Sequence, residues 1–373
     1  FTACIIIFPG IGLLPTFFSI SAFEFITVLI IFLGVTNYFR NNQGQLKFSG
    51  GFLLKPVCLF CSSAVISCLY AILIGWSSTP LFIHTLRIFE FGLIFLLLVG
   101  MANNHKCLNL VIQCLLFSIT ILSTIVVISS LMVGFPKILF IKRPNFLGAS
   151  LDFNIIAMMI GPFVILALCL STVVNSKLKK TLFLSVMTIS MLAILFTKSR
   201  GAWFGLIAGL IYFFISTRRI RFLFVFIPTL FVIVFTYLGQ LLGARISQTS
   251  VTDPAVIERL FIWRAAFNII KDHGIFGVGM DNFRFIKFAY GVPRLTDVLK
   301  GKSTHNIFLE IIVDFGLLGI FTFLWIMIAT FKKLIQVYNN TKDRNVKSIS
   351  LGLLCGLINY LSHGLFDCGI ANP

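Results

Sequence analysis

The chain has 373 residues, 58% of them hydrophobic and 11% charged, with a formal net charge of +18 and a mean hydropathy of +1.02. A soluble domain carries about 25% charged residues, so no aqueous fold hides this much apolar surface and the solvent must be lipid. The excess of Lys and Arg therefore reads first as the basic loops of a membrane protein and not as a nucleic-acid surface.

Apolar runs near the spanning length of about 20 residues fall at roughly 3–20 (broken by Pro9 and Pro15), 22–39, 56–75, 82–101, 108–133, 154–174, 180–197, 201–217, 222–242, 305–331 and 347–366. The predicted class is all-α, a polytopic transmembrane bundle with about eleven helices present. Barrel strands would alternate apolar and polar residues, and these runs do not. In lipid that leaves the helix, which closes its own hydrogen bonds. Cys4, Cys58, Cys61, Cys68, Cys114, Cys169 and Cys355 lie within apolar runs, with Cys107 and Cys368 at run edges. None lies in the polar stretch 243–304, so no disulfide framework is expected. No basic segment of a cleavable signal precedes the first run. The end at "CGIANP", straight after an apolar run, reads as a truncation.

Orientation follows from alternate loops. One set holds Arg40, Lys47 and Lys55, then Lys106, then Lys177, Lys179 and Lys180, then Arg218, Arg219 and Arg221, then Lys332, Lys333, Lys342, Arg344 and Lys347. The opposite loops at 15–21 and 76–81 are nearly uncharged. The first set is predicted to be cytoplasmic, which puts 134–153, the 197–201 corner and 243–304 outside. The expected organisation is nine transmembrane runs in 1–242, an external loop at 243–304 and two further runs in 305–373.

Within that loop, Asp253-Pro254 marks a helix start, predicting an amphipathic helix at about 255–272. Leu260, Trp263, Phe267 and Ile270 form one apolar stripe with Arg259 and Arg264 on either side, the pattern of a helix lying at a membrane interface. Gly274, Gly277 and Gly279 then break it, and 284–304 is a basic irregular stretch. Asp152 reads as the cap of the run that begins near Asn154.

The candidate functional residues gather on the external side. Arg200 in "FTKSRGAW" sits at a helix corner; an interfacial anchor is its plainer role, with Trp203 in the aromatic belt. Arg87 lies inside a run, where a charge faces the bundle interior, and Glu90 one turn on could pair with it. His305 in "KSTHNIFLEIIVDFG" is expected to open a helix, with Ser303 and Thr304 as candidate caps. The positive end of a helix disfavours imidazolium, leaving a histidine able to accept a proton. Glu310 and Asp314 follow on the same helix, and acids within a membrane run are functional by default. His363 and Asp367 stand four apart, which also fits a structural pair. Bland roles suit His84, His105 and His273. Arginines suit a phosphate, because the guanidinium fork binds bidentately and stays charged. Beside a lipid-facing helix they suggest a lipid-linked phosphate substrate, and the histidine suggests activation of a hydroxyl.

Four segments, "TKSRGAWFGL", "ERLFIWRAAFNIIKDHGIFGVGMDNF", "THNIFLEIIVDFGLLG" and "HGLFD", resemble the O-antigen ligase / O-antigen polymerase superfamily of bacterial membrane glycosyltransferases over about 140–370. The resemblance implies about twelve helices and transfer of a glycan from undecaprenyl diphosphate to an acceptor sugar hydroxyl at the periplasmic face of the inner membrane. It implies no metal and no nucleotide sugar, so no cofactor is expected. The implied partners are the lipid-linked glycan, an acceptor glycolipid or glycan, and membrane lipid, with no nucleic acid. The family's essential arginines fall on Arg200, Arg259 and Arg264, and its loop histidine on His305. The chain departs from the family pattern at Gly274, where proline is common, and in a helix usually found after the position of Pro373.

The chemistry that follows is inverting, single-displacement transfer. Arg200, Arg259 and Arg264, with Arg87, would hold the diphosphate; His305 would be the catalytic group activating the acceptor; Glu310, Asp314, His363 and Asp367 would support. A ligase acting on lipid A–core is favoured. A polymerase extending a lipid-linked chain and a protein O-glycosyltransferase share the superfamily. From other classes, a transporter would line a midplane path with Arg87, Glu90, Glu310 and Asp314, and a non-catalytic assembly partner would not need His305.

Overall fold

A computed structural model of the chain describes residues 51–76, 79–101, 105–132, 145–146, 149–150, 153–197, 199–219, 254–292 and 303–367. The expected runs at 3–20, 22–39 and 222–242, together with Asp152 and Asp253, lie outside the described residues. In chain order the elements are α1 (Gly51–Leu73), α2 (Thr79–Met101), α3 (His105–Met132), β1 (Asn145–Phe146), β2 (Ala149–Ser150), α4 (Phe153–Ser171), α5 (Lys177–Thr197), α6 (Arg200–Ser216), α7 (Pro254–His273), α8 (Phe283–Ile286), a 3-10 turn (Lys287–Tyr290), α9 (Ile307–Asn340) and α10 (Arg344–Gly364). The fold is a helical bundle of several membrane spans. Ten α-helices stand among the described residues, and five of them, α1, α3, α4, α5 and α9, are long and apolar enough to cross a bilayer. Among the described residues the strands form a two-residue antiparallel ladder, Asn145 with Ser150 and Phe146 with Ala149.

α4 and α10 form the centre. α10 packs on α4, α6 and α9; α4 also packs on α5, and α9 on α1. The closest approach is made by Gly201, Gly205 and Gly209, one turn apart on α6. A methyl at Gly205 would stand 2.5 Å from the Asn359 carbonyl, and one at Gly209 would stand 2.7 Å from that of Cys355. Small residues at this spacing let two helix backbones meet in lipid, where apolar surface alone drives no association. One buried cluster joins α3, α4, α5, α6 and α10. A second joins α1, α2 and α9 through Val57, Ile88, Met280 and Phe315.

The bundle has two unlike ends. The Tyr338 hydroxyl donates to the Ser216 carbonyl, and the Lys347 ammonium lies 5.0 Å from the Tyr338 ring. This end carries Lys177, Lys179, Lys180, Arg218, Arg219, Lys342 and Arg344. At the other end the α1–α2 corner, the start of α6, α7, the start of α9 and the finish of α10 come together.

α9 is not one straight helix. Gly316 has φ 68° and ψ −165°, a region open essentially to glycine alone. The glycine-rich segment after α7 enters the break. Val278 N–H donates to the Val313 carbonyl at 2.8 Å, Gly279 N–H to Asp314 at 3.0 Å, and Leu317 N–H to Gly274 at 2.9 Å. The Ser67 hydroxyl of α1 also donates to the Asp314 carbonyl. The carbonyls that the break leaves without helical partners are thereby satisfied, which an apolar surround requires. The expected span at 305–331 is corrected to 307–340 with this interruption. From residue 317 to the residue before Lys332 the helix is about 22 Å long at 1.5 Å per residue, most of a hydrocarbon core of about 30 Å. The break therefore lies in the outer part of the bundle, away from the basic end.

Candidate functional site

His305 does not open α9. The cap is Asn306, whose side chain accepts from Phe308 and Leu309 N–H, both at 3.0 Å; Ser303 and Thr304 are not the caps. His305 stands just before it with φ 54°. Its Nδ1 lies 3.2 Å from Asp367 Oδ1, with His305 24% and Asp367 8% exposed. A carboxylate only accepts, so Nδ1–H donates and Nε2 becomes the atom able to take a proton. α10 ends at Gly364, so Asp367 is off the helix; it meets His305 while its charge still acts on His363.

His363 is buried and turns elsewhere. Its Nε2 lies 3.4 Å from Ser199 Oγ, and Ser199 caps α6 by accepting from Ala202 N–H at 3.4 Å. A Cβ on Gly201 would meet His363 Cδ2 at 2.6 Å, so Gly201 is what lets the histidine reach the cap. Arg200, the first residue of α6, is exposed at this corner. The end of α10 therefore touches both the base of Arg200, through His363, and His305, through Asp367.

α7 docks on the same place. Trp263 Nε1–H donates to the Thr304 carbonyl at 2.9 Å. Arg259, half-buried, is one turn before Trp263 on that flank. Arg264 is exposed and stands about 140° round the axis from Arg259, so the two arginines do not converge. The apolar stripe is also divided. The face that packs is Ile262, Ala265, Ala266 and Ile269, while Leu260 is 55% and Phe267 61% exposed.

A second group of ionisable side chains lies beside the first, buried between α2, the 277–292 segment and α9. The Arg87 guanidinium is 3.4 Å from His84 Nδ1, and His84 Nε2 is 3.5 Å from Asp281 Oδ2. Arginine only donates, so Nδ1 accepts and Nε2–H donates to Asp281. Arg284 Nε closes on Asp281 Oδ1 at 2.5 Å. Asp281 N–H donates to Asp314 Oδ2 at 3.5 Å, and Thr304 N–H to Glu310 Oε2 at 2.7 Å. Burial pushes the Asp281 carboxyl up to about 6, against the pull of Arg284 and with a further push from Glu310. Arg87 and Asp314 belong to this network, and Glu310 lies against both groups, holding Thr304 N–H beside His305. Thr304 joins the two groups.

Sequence reasoning passed over His84, Asp281, Arg284 and Lys287. The Asp281–Arg284–Lys287 spacing of three was the available signal, since residues three apart meet on a helical turn. Lys287 is buried over the rings of Phe283 and Phe288, at 5.6 and 5.5 Å. Asp281 has φ 66°. His273 is held between Tyr70 at 2.9 Å and Tyr290 at 3.0 Å. Among the described residues no group of three or more His, Cys, Asp or Glu is placed to hold a metal ion. The described free cysteines are Cys58, Cys61, Cys68, Cys114, Cys169 and Cys355.

Comparison with known proteins bears on this end of the bundle. Residues 183–324 match the family described as O-Antigen ligase, a stretch that holds Arg200, α7, the inserted segment, His305 and the first half of α9. A protein of Rickettsia conorii named as a candidate polysaccharide ligase is 28% identical over 208 residues, covering 52% of this chain and 48% of the relative. The chain thus spans about half the length of that relative. Over residues 183–324 the chain is thus similar to the O-antigen ligase family.

Proposed function

We propose that the chain is a glycosyltransferase that moves a glycan from undecaprenyl diphosphate to an acceptor sugar hydroxyl, at the periplasmic face of the bacterial inner membrane. The observation that carries the reading is the His305–Asp367 pair at 3.2 Å, set at the start of α9 and sharing the end of α10 with the Arg200 corner. Asp367 holds Nδ1–H, so Nε2 is presented to the acceptor. The acceptor hydroxyl loses its proton to Nε2 as its oxygen bonds to the anomeric carbon. The bond from that carbon to the diphosphate oxygen breaks in the same step, and the diphosphate departs with the electron pair. Arg200 and Arg259 bind the departing diphosphate and stabilise the charge that builds on it. Inversion at the anomeric carbon follows from the single displacement.

The boundary position of the ionisable groups supports transfer over transport, since transport sites sit near the midplane. The basic residues gathered at the opposite end support a cytoplasmic location for that end. Within the superfamily, the acceptor we favour is lipid A–core, as in a ligase; a polymerase is the second reading. The deciding experiment gives purified protein an undecaprenyl-diphosphate oligosaccharide, with and without lipid A–core, and measures product size. One transfer to core supports the ligase. A ladder on the lipid carrier makes the protein a polymerase. No product with either acceptor overturns the proposal.

A further inference from the structure

α7 has a second, exposed face. Leu260, Arg264, Phe267 and Lys271 follow one another at helical spacing on the side away from Ile262, Ala265, Ala266 and Ile269, and all four are exposed. The packed face and the Trp263–Thr304 hydrogen bond fix the rotation of the helix, so this arc cannot turn inward. The exposed acid Asp272 stands about 100° round the axis from Lys271.

Where the arc leads is set by the break in α9. The Gly274 carbonyl accepts from Leu317 N–H, which seats Ile275 and Phe276 beside the first residues of the spanning part. Ile275 and Phe276 are exposed, as are Leu317, Leu318 and Phe321 below them. The lipid-facing side of the span therefore continues through Ile275 and Phe276 to Phe267 and Leu260. The two cations are thus set among exposed apolar groups.

We propose that this arc is a phospholipid-binding surface, on which Arg264 and Lys271 hold the phosphate oxygens of anionic phospholipids while Leu260 and Phe267 enter the acyl boundary. The fork of Arg264 suits two oxygens of one phosphodiester, and Lys271 acts as a point charge on a long stem that reaches the same layer. Arg264 thus works on the bilayer and Arg259, on the opposite flank, on the side of the 304–306 turn. The proposal rests on membrane embedding alone and not on glycosyl transfer.

The test places the photo-crosslinker p-benzoylphenylalanine at Phe267 in the full chain, in nanodiscs of mixed phosphatidylglycerol and phosphatidylcholine. Mass spectrometry of the peptide holding position 267 identifies what it captured. Phospholipid adducts enriched in phosphatidylglycerol are expected, in the otherwise native protein and in His305→Ala alike. The enrichment should fall by about fivefold for each of Arg264→Gln and Lys271→Gln, and return in Arg264→Lys. Capture of this chain's own segments, of a second copy, or of nothing overturns the proposal. So does a lipid adduct whose headgroup preference survives both substitutions. Absence of transfer by the otherwise native protein, with the lipid adduct intact, overturns the glycosyltransferase reading and leaves this one standing.

Discussion

His305 combines two demands in one residue. Its φ of 54° is tolerated by His, Asn and Asp better than by most side chains, and its ring must present Nε2. His305→Asn therefore keeps the backbone and removes the proton acceptor. Transfer is expected to fall about 10²–10⁴-fold while binding of the lipid diphosphate survives. Both are measured on the same purified variant, and a parallel loss of binding would move His305 into the diphosphate site. Arg200→Lys keeps the charge but loses the fork. It should accumulate in the membrane and transfer less; full activity would make Arg200 an anchor. Asp281 gives a pH test. Its carboxyl, ordinarily near 3.8, is pushed up to about 6 chiefly by burial. Between those values the unfolded chain is ionised while the fold keeps the proton, so stability falls as pH rises through that window and is flat above it. Asp281→Asn, which also tolerates positive φ, should lack that fall. Melting curves of both proteins across the window check the sign, and identical pH profiles would show that Asp281 does not titrate there.

At the scale of elements, α9 depends on its break. A methyl on Gly316 would stand 2.3 Å from the Ile275 carbonyl oxygen in a conformation closed to alanine. Gly316→Ala is expected to cost at least about 1–3 kcal/mol, read as a lower melting temperature and loosened protection of 274–282 in hydrogen exchange. An unchanged melt would mean that the inserted segment does not hold the break. The glycines 274, 277 and 279 were legible as the end of α7, because glycine allows φ above zero. Their insertion into another helix was not, since that depends on carbonyls exposed more than thirty residues later in the chain. The cap of α9, expected at Ser303 or Thr304, falls at Asn306 for a related reason. Serine, threonine and asparagine all suit a cap, and only the backbone path of 303–306 chooses among them.

Among the described residues, Lys177 to Lys180, Arg218, Arg219, Lys342 and Arg344 lie at one end of the bundle and the candidate site at the other. A phosphatase reporter inserted in the turn at 341–343 should be inactive, the mark of a cytoplasmic location, and one inserted at 250 should be active. The reverse pattern would place the site on the cytoplasmic side and remove a periplasmic transfer reaction.

With one residue in nine charged, composition alone required lipid as the solvent, and lipid required helices, because neither conclusion depends on how distant segments meet. The "SRGAW" corner, Arg259 and His305 were readable for the same reason, each belonging to a local motif. What joined them was decided in three dimensions. Asp367 reached His305 because α10 stops at Gly364. Arg264 was left exposed because α7 turns Ile262, Ala265, Ala266 and Ile269 inward. The network of Arg87, His84, Asp281 and Arg284 formed because a glycine-rich segment fills a gap in a broken helix, and partners nearly two hundred residues apart leave no period in a sequence.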